Sequence, residues 1–151
     1  MAHDFKQFPE LTTSQMDKYY FQSPHKQIMD NFTATVVKVH DGDTITLRWE
    51  QRNFDFPLRF ADLAAPELNE AGGVASQSWL EARLLGKKVE IVINPKLRVE
   101  KWGRLLGKVL LGGLDIGEES IMRGHAVAWE DRKQSTIPDF NKELDKIWQT
   151  F

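Results

Sequence analysis

Val36-Val37-Lys38-Val39-His40-Asp41-Gly42-Asp43-Thr44-Ile45-Thr46-Leu47 reads as two β-strands joined by a tight turn. β-Branched and apolar residues dominate both arms, and Thr44 to Leu47 alternates as a half-buried strand should. An Asp-Gly pair between two such runs is a strong hairpin signal. Working outward, the strand chemistry extends from Phe32 to Trp49, and a third strand is expected from Phe56 to Leu63, ended by Ala65-Pro66. Glu67 to Gly73 reads as a loop. Ser76 to Leu85 reads as a helix, with Ser78 and Glu81 in capping-box spacing, Trp79, Leu80, Leu84 and Leu85 for packing, and Gly86 as its stop.

Val89, Ile91 and Ile93 alternate as a fourth strand, and Leu105 to Leu111 forms a fifth that ends at Gly112-Gly113. A short helix from Glu118 to Arg123 is closed by Gly124, and the apolar stretch Ala126 to Trp129 follows. A last amphipathic helix is expected from Pro138, with Phe140, Leu144, Ile147 and Trp148 on one stripe. Three strands, a helix, two strands and a helix give an α+β, mainly β, fold. That order matches the five-stranded oligonucleotide- or oligosaccharide-binding barrel, with helices packed on it. Residues 1–31 stand apart as a helical extension, and 32–151 form the barrel domain. In the extension, Thr12 to Tyr20 suits a helix capped by Thr12 or Thr13, and Lys26 to Met29 suits one further turn. The adjacent Tyr19, Tyr20 and Phe21 suggest that the extension packs against something, a protein partner included. The barrel is expected to fold without it.

The chain has 151 residues, with 20 basic against 22 acidic side chains and a formal charge of −2. A polyanion would therefore be bound by a local patch and not by a global field. Cysteine is absent, which excludes disulfides, thiolate nucleophiles and cysteine-bound zinc. The four histidines share no metal-ligand spacing, and only His40 borders a motif, at the expected rim of the cleft. No apolar run approaches the roughly 18 residues that span a bilayer. Met1 to Pro9 lacks the apolar core of a secretory signal, so a cytoplasmic protein with no membrane partner is expected.

Three clusters carry candidate chemistry: Asp41-Gly42-Asp43-Thr44, then Arg59 with Pro66-Glu67, then Lys101-Trp102-Gly103-Arg104. Each alone has a plain structural explanation as a turn, a strand-edge arginine or an anchored loop. Their order and spacing together resemble the staphylococcal nuclease (thermonuclease) family. Arg59-Phe60-Ala61-Asp62-Leu63-Ala64-Ala65-Pro66-Glu67 is similar to that family's Arg-Leu-x-x-Ile-Asp-x-Pro-Glu motif. Lys101-Trp102-Gly103-Arg104 is similar to its Lys-Tyr-Gly-Arg turn, with tryptophan in place of tyrosine. The likeness extends over roughly three quarters of the chain.

The resemblance implies metal-dependent hydrolysis of phosphodiesters in DNA or RNA. Arg59 and Arg104 would be the phosphate clamps, a role for which a planar guanidinium fork suits. Glu67 would be the general base for water, and Asp43 a ligand of Ca2+, an ion that prefers hard oxygen donors. Lys101 and Trp102 would meet substrate, within a basic patch of Lys96, Arg98, Lys101 and Arg104. The family's tyrosines beyond the second helix are replaced by Glu130, Asp131 and Arg132. Its second calcium aspartate is replaced by Ala64, which leaves Asp43, the Ala65 carbonyl and waters. Asp62 lies two residues earlier, about 6.6 Å away on a regular strand and on the same face. Asp41 could act through water. Two readings follow: a phosphodiesterase with a rearranged ligand set, or a catalytically inactive module of the same fold that binds nucleic acid or protein.

Overall fold

The computed structural model describes residues 3–100 and 103–132. Lys101, Trp102 and the expected C-terminal helix beyond Pro138 lie outside the described residues. The chain opens with α1 (Thr13–Tyr19), extended by a single 3-10 turn at Tyr20–Gln22. Thr12 caps α1, and the Gln15 side chain accepts the Thr12 N–H at 3.1 Å. Lys26 to Met29 is not the helical turn expected. It runs in irregular conformation because Gln27 and Ile28 bond to residues near the start of the chain.

Next come β1 (Phe32–Val39), β2 (Thr44–Arg48), β3 (Phe56–Phe60) and β4 (Leu63–Ala64). Helix α2 (Gly73–Leu84) is followed by β5 (Lys88–Val92), β6 (Leu105–Leu111) and β7 (Leu114–Asp115). Helix α3 (Ile116–Met122), β8 (Val127–Ala128) and the one-turn α4 (Trp129–Arg132) complete the described chain. Five strands, β1, β2, β3, β5 and β6, close a barrel. All neighbours are antiparallel except β3 and β6, whose parallel pairing, Leu58 beside Leu105 and Arg59 beside Leu106, makes the closure. The expected mainly β barrel with packed helices is therefore the observed fold. A register shift between Val36 and Lys38 bends β1, which pairs with β5 through its first half and with β2 through its second.

Several boundaries depart from the sequence reading for local reasons. The third strand stops at Phe60, because Asp62 takes a left-handed φ of 69° and breaks it. Leu63 and Ala64 then pair with Val127 and Ala128 instead. Helix α2 starts three residues early, after Gly72, so Ser78 and Glu81 are inside it and form no cap. Ser76 is fully buried and its hydroxyl donates to the His125 carbonyl at 2.8 Å. Gly86 and Gly124 do stop their helices with left-handed φ angles of 77° each.

The barrel interior holds Val36, Ile45, Leu47, Leu58, Ile91, Leu105 and Val109, with Leu80, Leu84 and Ile116 covering it from α2 and α3. Ile28 of the extension joins the same core, and Leu11 is fully buried. Not every aromatic residue is interior. Tyr20 and Phe21 meet edge to face at 5.5 Å and stand in solvent, Phe21 96% exposed. Among the described residues, no helix is long and apolar enough to cross a membrane.

Candidate functional site

The hairpin turn between β1 and β2 lies at one end of the barrel. His40 N–H donates to the Thr44 carbonyl at 3.0 Å, and the Asp41 carboxylate accepts the Asp43 N–H at 3.0 Å. Gly42 is needed here for space. A β-carbon on it would stand 1.9 Å from Ser76 Oγ and 2.7 Å from Ala65 Cβ. The turn is thereby pressed against α2 and the strand leading to Pro66.

Asp43 is buried, with both carboxylate oxygens engaged. One accepts the Thr44 hydroxyl at 3.1 Å; the other accepts the Ala65 N–H at 3.0 Å and faces Arg59 Nη2 at 3.5 Å. Burial, with the neighbouring Asp41 carboxylate adding to it, pushes the Asp43 carboxyl up to about 6, against the opposing pull of Arg59 and the Ala65 amide. Arg59 follows from register: it lies on β3 between Thr44 of β2 and Leu106 of β6. Its Nη1 donates to the Phe60 and Leu63 carbonyls at 3.3 and 3.4 Å, and its guanidinium lies 4.9 Å from the centre of the Trp129 ring.

Arg104, immediately before β6, donates from Nη1 to the Thr44 hydroxyl at 3.3 Å. Its other edge, Nε and Nη2, is taken by the Glu100 carboxylate. That ion pair raises the arginine further, outweighing partial burial, and the charges of Asp43 and Asp41 add to it. A continuous chain therefore runs from Arg104 through Thr44 and Asp43 to Arg59. Residues from three separate stretches of sequence are brought together.

The remaining expected residues are placed less centrally. Glu67 is exposed on the turn after Pro66, its N–H donating to the Glu70 carboxylate at 2.8 Å and its carbonyl accepting the Glu70 N–H at 2.9 Å. Among the described residues, no hydrogen bond or ion pair engages the Glu67 carboxylate. Asp62 is exposed at its left-handed corner, its carbonyl accepting the Trp129 N–H. The regular-strand geometry that would align it with Ala64 is absent. Ala64 is buried in an apolar group with Val127 and Trp129. Arg98 does not belong to a surface basic patch. It is 3% exposed and spends its donors on Glu10, Leu11 and Ile28. His40 lies half-buried at the rim and bonds to the Thr46 hydroxyl at 2.6 Å, with burial and Lys38 lowering its pKa.

The sequence reading missed Thr44 as the link between the arginines, Glu100 as the partner of Arg104, and Trp129 as the cover on Arg59. Glu100 lies four residues before Arg104, a spacing that a hairpin can close. For Trp129 the signal was its place at the end of Ala126–Trp129.

A divalent cation would find Asp43 and Asp41 as its carboxylates, with the Thr44 hydroxyl nearby. Burial and the neighbouring Asp41 carboxylate both disfavour the Asp43 anion, and a cation there would offset both. Among the described residues, no group of three or more histidine, aspartate or glutamate side chains forms a metal cage.

No family model matches the chain. The chain is similar to an uncharacterized endonuclease of Haemophilus influenzae, 30% identical over 106 residues. The match covers 70% of this chain and 56% of that protein, so the chain spans little more than half the length of its relative.

Proposed function

We propose that this chain is a phosphodiester hydrolase of the staphylococcal nuclease type, acting on DNA or RNA. The observation that carries the reading is the linkage of Arg104, Thr44, Asp43 and Arg59 at one barrel rim, where β2, β3 and β6 meet. Two guanidinium groups, Arg59 against the buried Asp43 carboxylate and Arg104 on the Thr44 hydroxyl, suit the charge of a pentacovalent phosphate. The similarity to a protein described as an endonuclease supports the same substrate class.

Arg59 and Arg104 are the clamps in this reading. Glu67 is the base, its carboxylate solvent-reachable and unpaired among the described residues, on a turn closed by two bonds to Glu70. Lys101 and Trp102 are the substrate contacts the resemblance implies. Asp43, the Ala65 carbonyl and, through water, Asp41 would hold Ca2+; Asp62, exposed on its left-handed corner, would serve as a further carboxylate only if that corner turned toward the ion. The ion would supply positive charge beside the phosphate and polarise it.

Incubating the protein with single-stranded DNA and RNA, with Ca2+ or with chelator, tests the proposal. Fragments that appear only with the ion support it. A second reading, an inactive binding module, is favoured by the apolar burial of Ala64 where the resemblance calls for a carboxylate. Retarded but intact nucleic acid would select that reading, and neither fragments nor retardation would remove both.

A further inference from the structure

Residues 3–31 make a second set of contacts, and these converge on the segment that delivers Arg104. Segments 98–100 and 103–106 run side by side as the two arms of a hairpin: Leu106 N–H donates to the Arg98 carbonyl at 2.8 Å and Glu100 N–H to the Arg104 carbonyl at 2.9 Å. Val99 and Leu105 form a bridge between the two arms. The N-terminal segment holds this hairpin in two places.

The first is its base. Glu10, 2% exposed, accepts Arg98 Nη2 at 3.1 Å through Oε2, which also takes the Ile28 N–H, while Oε1 accepts Arg52 Nη2. Arg98 also donates to the Ile28 carbonyl at 2.8 Å and the Leu11 carbonyl at 3.0 Å, so its guanidinium is enclosed by the extension. The second place is the start of the returning arm. Gly103, with φ of 86°, lies under the ring of Phe8, and a β-carbon at 103 would stand 2.5 Å from that ring. Phe8 is fixed in turn, its N–H donating to the Asp4 carbonyl and its carbonyl accepting His3 Nε2.

We infer that Phe8 and Glu10 are positioning residues: the N-terminal segment sets the placement of the two hairpin arms, 98–100 and 103–106, and so aims the Arg104 guanidinium at the barrel rim. The inference rests on the proposed role of Arg104 in binding phosphate. A misplacement of about 1 Å in such a group can cost on the order of a hundredfold in rate. Glu100, on the same hairpin, holds the other edge of Arg104, so displacement of the hairpin moves both partners together.

The test compares the full chain with Phe8→Ala and Phe8→Leu. Phe8→Ala removes the ring from Gly103 without disturbing a buried charge, whereas Glu10→Gln is the riskier variant for folding. Amide exchange at Glu100 and Gly103 should quicken in Phe8→Ala by about tenfold or more, with the barrel strands unchanged, and the Arg104 Nε–H resonance should shift. Phosphodiester cleavage should lose kcat by about tenfold with little change in KM, and Phe8→Leu should recover most of each effect. Unchanged exchange at the hairpin, or faster exchange with undiminished kcat, would overturn the inference. If the unmodified protein cleaves nothing, the hydrolase reading fails. The exchange and the Arg104 resonance then decide whether the segment sets the hairpin.

Discussion

At the scale of single residues, Asp43 is the point where stability and chemistry conflict. Its carboxyl titrates near 6 in the folded chain, above the ordinary carboxylate range, because burial and Asp41 disfavour the anion. The folded state therefore holds this proton more tightly than the unfolded one. Stability from this group is fully present below about pH 4 and is lost as pH rises through about 6. In chelator, Asp43→Asn should be more stable than the natural protein above pH 6, by up to about 3 kcal/mol, and the difference should vanish near pH 4. Urea unfolding of both proteins across that range measures it. The chemistry is probed at two other residues. Glu67→Gln should lower turnover by about a hundredfold or more while oligonucleotide binding persists, because an amide takes no proton from water. Arg104→Ala should lose about 3 kcal/mol of transition-state stabilisation, read from kcat/KM. Equal activity in all three proteins would exclude this site.

At the scale of elements, the two-residue strands β4 and β8 decide what position 64 can accept. Ala64 pairs with Val127 and packs with Trp129, on the strand whose next residue donates its N–H to Asp43. Ala64→Asp should tighten Ca2+ binding in calorimetry, since affinity follows ligand charge and number. It should also lower the melting temperature in chelator, because an unpaired carboxylate replaces a methyl group in an apolar setting. If Asp62 serves the ion, Asp62→Ala should abolish Ca2+ binding in the natural chain and Ala64→Asp should restore it. The barrel strands were legible because alternation, an Asp-Gly turn and glycine stops are local signals. The break at Asp62 was not, since it depends on Trp129 and β8, far along the chain. The start of α2 was missed for a related reason: the apparent cap at Ser78 is a surface pattern, whereas the real start is set by Gly72 and the turn after Pro66. Of the candidate site, the residue types were legible in three motifs, but the linkage through Thr44 and the pairing with Glu100 required the fold.

At the scale of the whole molecule, the extension and the barrel share a buried charge group. Arg52 is wholly buried against Trp49, Phe54 and Phe56 and meets Glu10, whose other oxygen holds Arg98. The sequence expectation was that the barrel folds without the first thirty-one residues. The contacts lead to the opposite prediction. Truncation before Asp30 would leave Arg52 and Arg98 without their carboxylate, and breaking a buried ion pair costs about 3–5 kcal/mol. It would also strip Leu11 and Ile28 from the interior. The truncated chain should be unfolded or strongly destabilised by circular dichroism. A native-like melting curve would show that the barrel is independent.

The parallel pairing of β3 with β6 has a kinetic consequence. It is a contact between strands far apart in sequence, with α2 and β5 between them, and such pairings are slow to form because the intervening loop must close first. Arg59 stands on one of these strands and Arg104 at the mouth of the other. During refolding, the hairpin of β1 and β2 can gather its backbone bonds early and yet display only half of the rim. The two cations become neighbours only when the last seam is sewn, so a partly folded chain emerging from the ribosome carries no assembled site.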